Sequence, residues 1–119
     1  MYVNQLLGQY GEDKASDYLE THNYKIIERN FRCRQGEIDI IAKDLSKNEL
    51  VFVEVKTRLS FNYGRPSQAV TSIKQRHILN VAKYYLYKNS INDTFVRFDL
   101  IEVFVKEFEF RINHIKQIF

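Results

Sequence analysis

Apolar residues recur along this chain with two periods, and the changes of period divide it into seven elements. Over residues 4–22, Leu7, Ala15, Tyr18 and Leu19 return at helical spacing, which predicts an amphipathic helix. Gly8 and Gly11 fall inside it, each costing about 1 kcal/mol against alanine. Beside Glu12 they imply close approach of another element, or a late helix start. Residues 24–32 are rich in β-formers and predict a strand. Residues 36–43 and 50–57 predict two more, joined by the polar hairpin loop 44–49. Residues 58–65, with Gly64, read as a loop. Ser67 is placed to cap a long helix over 68–88, with Val70, Ile73, His77 or Ile78, Val81, Ala82 and Tyr85 as its core face. Residues 94–106 predict a strand, Glu107 a turn, and 108–115 a last strand. The order α-β-β-β-α-β-β predicts an α/β fold with a mixed sheet.

Composition narrows the class. A chain of 119 residues, 45% hydrophobic, is expected to form one domain over 1–119 and not to be disordered. The single Cys33 excludes an internal disulfide and a cysteine-rich zinc site. No apolar run approaches the roughly 20 residues of a membrane span, and the first residues lack a signal-peptide core. The expected setting is the cytoplasm, away from membranes.

The net charge of +3 is unevenly spread. Residues 55–92 contain no Asp or Glu but carry Lys56, Arg58, Arg65, Lys74, Arg76, Lys83 and Lys88, so that block is +7 and the remainder −4. Tyr63, Tyr84, Tyr85 and Tyr87 lie among these cations. Such interleaving suits phosphates and stacked bases. It equally describes a solvated helix with tyrosines in the core.

The chemistry concentrates in two strands. In Val51-Phe52-Val53-Glu54-Val55-Lys56 the valines share one face, and Phe52, Glu54 and Lys56 the other. In Gly36-Glu37-Ile38-Asp39-Ile40 the two acids share a face opposite the isoleucines. A symmetric hairpin centred between Ser46 and Lys47 sets Asp39 opposite Glu54 and Glu37 opposite Lys56. Directly opposed Cβ atoms lie about 4.5–5.5 Å apart, so the carboxylates repel unless a cation separates them. Mg2+ suits that place, because it takes one or two carboxylates plus water and phosphate oxygens. The plainer reading is a hairpin with one wet face and surface ion pairs Glu54–Lys56 and Glu37–Lys56. Elsewhere the signals are weaker. His22, His77 and His114 lack metal spacing, and His77 reads as packed. Cys33 has no catalytic partner, and Arg97 and Asp99 read as a structural ion pair.

Longer blocks carry a resemblance. They are Gly11-Glu12 with Ala15 and Tyr18-Leu19, then Arg29-Asn30-Phe31-Arg32, then Gly36-Glu37-Ile38-Asp39-Ile40-Ile41-Ala42. Val51-Phe52-Val53-Glu54-Val55-Lys56-Thr57-Arg58, Tyr63-Gly64, Lys74 and Arg97-Phe98-Asp99 complete them. The chain resembles the YraN-like family of small uncharacterised bacterial proteins nearly end to end. That family is similar in fold to restriction-endonuclease-like nucleases with an Asp…Glu-x-Lys motif, most of all to archaeal Holliday-junction resolvases. The resemblance implies a restriction-endonuclease-like core. It matches Asp39 and Glu54 to metal-binding carboxylates, Lys56 to the catalytic lysine, and Glu12 to an acid that can join the metal site. Lys74 matches a position suited to a backbone phosphate. Phe31 stands where tryptophan is frequent, and His22-Asn23 replaces a glycine-containing turn.

The expected function is Mg2+-dependent hydrolysis of DNA phosphodiesters, with Mn2+ as a substitute, at branched or damaged structures. The Val55 carbonyl is a further expected ligand, and Arg58, Lys74 and Arg76 are expected to clamp the nucleic-acid backbone. Two alternatives stand beside it. One is a nucleic-acid-binding module without turnover. The other is an interaction protein forming a homodimer through the alternating edge segment 108–115.

Overall fold

A computed structural model describes residues 2–59, 71–107 and 109–119, with side chains from residue 5 onward. The elements are α1 (Tyr2–Thr21), β1 (Tyr24–Cys33), β2 (Gly36–Asp44), β3 (Glu49–Arg58), α2 (Ser72–Lys88), β4 (Phe95–Lys106) and β5 (Glu109–Ile115). This is the expected α-β-β-β-α-β-β order. The sheet runs β1-β2-β3-β4-β5. β3 and β4 are parallel, joined through α2, and every other neighbouring pair is antiparallel.

The helices cover opposite faces because β3 is apolar on both. Val51 and Val53 pack under Ala15 and Leu19 of α1 with Ile40, Ala42, Ile101 and Val103. Leu50 and Phe52 pack under Val81, Ala82 and Tyr85 of α2 with Phe31, Ile38 and Ile41. An unbroken apolar run is what a strand buried on both faces requires.

The first helix keeps its glycines for different reasons. A Cβ on Gly11 would overlap Thr57 Oγ1 and lie 3.0 Å from its Cβ and 3.2 Å from its Cγ2. The helix therefore rests directly on β3 at Gly11, the first of the two readings of the glycine pair. Among the described residues nothing lies within 4 Å of a Cβ on Gly8, and their packing gives no reason for that glycine. The turn after α1 needs a left-handed residue, and Asn23 supplies it at φ 68°.

The second helix departs from the sequence reading. It begins at Ser72, where Thr71 at φ −62°, ψ 156° accepts the Lys74 N–H on its side chain. The expected Ser67 cap and Val70 lie outside the described residues. Ile78, Val81, Ala82 and Tyr85 form the buried face, but Ile73 is 63% exposed. Five residues separate Ile73 from Ile78, which turns it about 140° away from the buried stripe. His77 is also exposed, not packed.

The β2–β3 register is the symmetric one, from Asp44↔Glu49 to Ile40↔Val53. Asp44 closes the turn by accepting from the Ser46 N–H (3.1 Å) and hydroxyl (2.7 Å), and Asn48 takes φ 56°. Arg97 and Asp99 do form a pair, inside a larger buried cluster. The Arg97 guanidinium donates to both Asp99 oxygens, to Asp44 Oδ2 and to Glu49 Oε1, each at 2.9 Å, and to the Tyr24 hydroxyl at 2.7 Å. That uses all five of its donors. Asp99 also meets His114 Nε2 at 2.8 Å and accepts from Gln117 N–H at 3.0 Å. No helix among the described residues is long and apolar enough to cross a membrane.

Gly11→Ala is expected to lower stability by about 1–3 kcal/mol in denaturant unfolding. Rotating Thr57 moves its hydroxyl but leaves its own Cβ 3.0 Å from the added atom, so side-chain motion gives only partial relief. Adding Thr57→Ala should recover part of the loss; no recovery would place the strain elsewhere.

Candidate active site at a fork between two strands

β2 and β3 are paired only as far as Ile40–Val53. Beyond that point β3 continues beside β4 to Arg58↔Phe104, and β2 continues beside β1 to Cys33↔Gly36. The sheet therefore forks, and Asp39 sits in the fork. Its Oδ2 accepts the Val55 N–H at 2.8 Å, so a side chain takes a backbone donor that a continued ladder would have used. The pleat is also broken there. Ile38 packs in the cluster under α2, while Ile40 packs in the cluster under α1. Regular alternation would put both on one face. Across from this break Asn30 has φ 54°, between the pairs Arg29↔Ile40 and Phe31↔Ile38.

Glu54 and Lys56 follow on β3. Glu54 is largely buried and receives Lys74 Nζ at 3.0 Å from the first turn of α2. Lys74 is close to Lys56 as well. Burial, and then the Lys74 charge, holds the Lys56 ammonium below its usual range. Burial opposes the charge on Lys74 too, but its contact with Glu54 outweighs that and raises its pKa. Asp39 is pushed up to about 7, first by burial and then by the charge of Glu54, with Glu12 and Glu37 adding to it. The Val55 hydrogen bond opposes the shift without cancelling it. The fork thus holds negative potential that Lys74 meets by direct contact at Glu54 and by charge alone at Asp39.

The other expected site residues are distributed around this cluster. Glu12 lies beside the fork on α1, the residue after the Gly11 contact, with Arg29 Nη2 3.7 Å from its Oε1. Arg29 also bonds Asp13 at 2.8 Å, and its buried Nε has no hydrogen-bond partner among the described residues. Glu37 does not face Lys56. It pairs with Arg32 at 2.9 Å, its register partner on β1. Arg58 is tied to the buried Glu102 at 2.9 Å. Arg76 is exposed on α2. Among the described residues, no three His, Cys, Asp or Glu side chains group closely enough to hold a metal ion. The sequence reading missed Lys74 as the partner of Glu54; its place opening the acid-free helix was the available signal.

Fold and site define a small α/β domain whose mixed sheet opens at one pair of strands around two carboxylates and two lysines. The chain belongs to the uncharacterised protein family UPF0102, whose model matches residues 11–103. That span takes in Gly11, Glu12, the fork and Arg97, and stops before β5. The chain is similar to a UPF0102 protein of Caldicellulosiruptor saccharolyticus, 48% identical over 115 residues, covering 95% of this chain and 96% of the relative. A UPF0102 protein of Clostridium botulinum strain Loch Maree is 52% identical over 103 residues, covering 86% and 82%.

A carboxyl group whose folded pKa is raised from 3.8 to about 7 costs stability as pH climbs through that window. Asp39→Asn keeps an acceptor for Val55 and removes the charge. It should therefore stabilise the fold by on the order of 1–3 kcal/mol at pH 8. The gain should vanish near pH 4 in thermal unfolding. An equal effect at both pH values would mean that the charge is not what is penalised.

Proposed function

We propose that this protein is a metal-dependent endonuclease acting on DNA phosphodiesters, with branched or damaged structures as its substrates. The observation that carries the reading is the half-buried Asp39 carboxyl held beside Glu54 at the fork, with Lys56 two residues beyond Glu54 on β3. Structural carboxylates are normally compensated, whereas this one is destabilised by its own neighbours, as functional groups frequently are.

The donor set fits a hard divalent cation. Two carboxylates with water and phosphate oxygens suit Mg2+, with Mn2+ as a substitute, and do not suit zinc. Asp39 and Glu54 would hold the ion, with the Val55 carbonyl as a further ligand. Glu12, steadied by Arg29, would support a ligand or a bound water. When bound, the cation supplies Lewis acidity toward a phosphodiester and acidifies water.

The remaining roles belong to the chain itself. Lys56, its pKa lowered, positions the attacking water and can accept a proton at Nζ. Lys74 leaves Glu54 to the cation and contacts the backbone phosphate, a change of partner within reach of one flexible side chain. Arg76 extends that contact along α2. Arg58 offers the phosphate only the donors not committed to Glu102. Such contacts fix position without reading sequence, which favours selection by nucleic-acid structure.

A specific observation supports a second reading. Lys74 already neutralises Glu54 at 3.0 Å, as it would in a binding module that performs no turnover. A homodimer through β5 is compatible with either, because β5 is an edge of the sheet.

Cleavage of a labelled four-way junction in Mg2+, compared with the linear duplex, tests the proposal. The junction should be cut faster, and Asp39→Asn, Glu54→Gln and Lys56→Met should each reduce cutting by about 100-fold or more. Binding without cutting in either Mg2+ or Mn2+ would favour the non-catalytic module.

A further inference from the structure

The exposed side of α2 continues from Arg76 into charge and aromatic surface that the fork does not use. The helix has no acidic residue. Arg76, Lys83 and Tyr87 recur at intervals of seven and four, on one stripe of a helix with 3.6 residues per turn. All three are exposed, Tyr87 to 83%. Tyr84 and Lys88 flank that stripe. Tyr84 is stacked on Phe31 at 6.4 Å between centroids and 29° between planes, and it still exposes 37% of its surface. Lys88 Nζ lies 5.8 Å from the same Phe31 ring. Glu28 on β1 is a neighbouring acid, and its charge acts on the inward Tyr85.

Packing accounts for Tyr85, which is buried in the core, but not for Tyr87. Cations alone would suit any phosphate backbone. Exposed rings between them suit only a strand whose base faces are available, since a duplex hides those faces within its own stack. The same helix begins with Lys74 at Glu54, about 20 Å from Tyr87 at 1.5 Å per residue. We infer that the outward face of α2 binds single-stranded nucleic acid, with Tyr84 and Tyr87 stacking on bases and Arg76, Lys83 and Lys88 on phosphates. The strand would lead toward the fork, and in that connection the inference rests on the nuclease reading. It names the substrate class as unpaired nucleotides beside the cleavage point.

Fluorescence anisotropy with a labelled 20-nucleotide single strand and its duplex, both in EDTA, separates the possibilities. The single strand should bind more tightly. Tyr87→Ala should weaken it by about five-fold or more while leaving duplex binding and the salt slope unchanged, and Tyr87→Phe should restore it. Lys83→Gln should weaken both forms and reduce the salt slope. Duplex bound as tightly as the single strand, with Tyr87→Ala neutral, would overturn the surface and leave the fork standing. Single-strand binding through Tyr87, with no cutting of the four-way junction in Mg2+ or Mn2+, would uphold the surface and overturn the nuclease. No binding of either form would overturn the surface, and the fork would then stand or fall on junction cutting in Mg2+.

Discussion

One buried guanidinium holds this sheet in register. Arg97 on β4 reaches the end of β2 through Asp44, the start of β3 through Glu49 and the start of β1 through Tyr24. Asp99 passes the connection to β5 through His114. Buried ion clusters are not automatically more stable than apolar packing of equal volume. Apolar side chains, however, would tolerate a slipped strand, whereas five directed donors accept only one alignment. A slip of one residue in β3 would send Glu54 and Lys56 to the opposite face. The clamp and the fork are therefore linked through register, although they lie at different ends of the β2–β3 pairing.

The same strand shows what the two ends do to one residue type. Burial raises the pKa of both Asp44 and Asp39. At Asp44, bonds from Ser46 and Arg97 overcome it and hold the carboxyl down at about 2. At Asp39, the neighbours that add most are Glu54 and Glu12, and the carboxyl rises to about 7. Five residues apart on β2, one aspartate stabilises the fold and the other is tolerated by it. Gly11 and Arg29 belong to the second environment, because they hold α1, and with it Glu12, against the parted strands. That asymmetry is what supports the proposed site at the fork.

Much of this was legible in the sequence. The seven elements follow from period and turn residues, and the register follows from a polar turn between two strands of matched alternation. The fork was not legible, because alternation assumes an unbroken pleat and Asp39 breaks it. Glu37 was set against Lys56 by considering only the β2–β3 hairpin, whereas β1 brings Arg32 to it first. Arg97 and Asp99 were recognisable as a pair from their spacing of two. Their partners arrive from strands distant in sequence, about which periodicity says nothing. In α2, apolar identity placed Ile73 in the core, but its angular position excludes it. Arg58 ends β3, although the loop was expected to begin there, and the rest of that loop, with Tyr63 and Arg65, lies in the block 60–70 outside the described residues.

The central claim is that the fork is a cation site. Calorimetric titration of Mg2+ and Mn2+ into the wild-type protein and Lys74→Met, with Asp39→Asn and Glu54→Gln as controls, tests it most directly. The account predicts binding to the wild type, tighter binding once Lys74 no longer occupies Glu54, and none to either carboxylate variant. Binding that survives both carboxylate substitutions, or no binding by wild type or Lys74→Met even with branched DNA present, would contradict it.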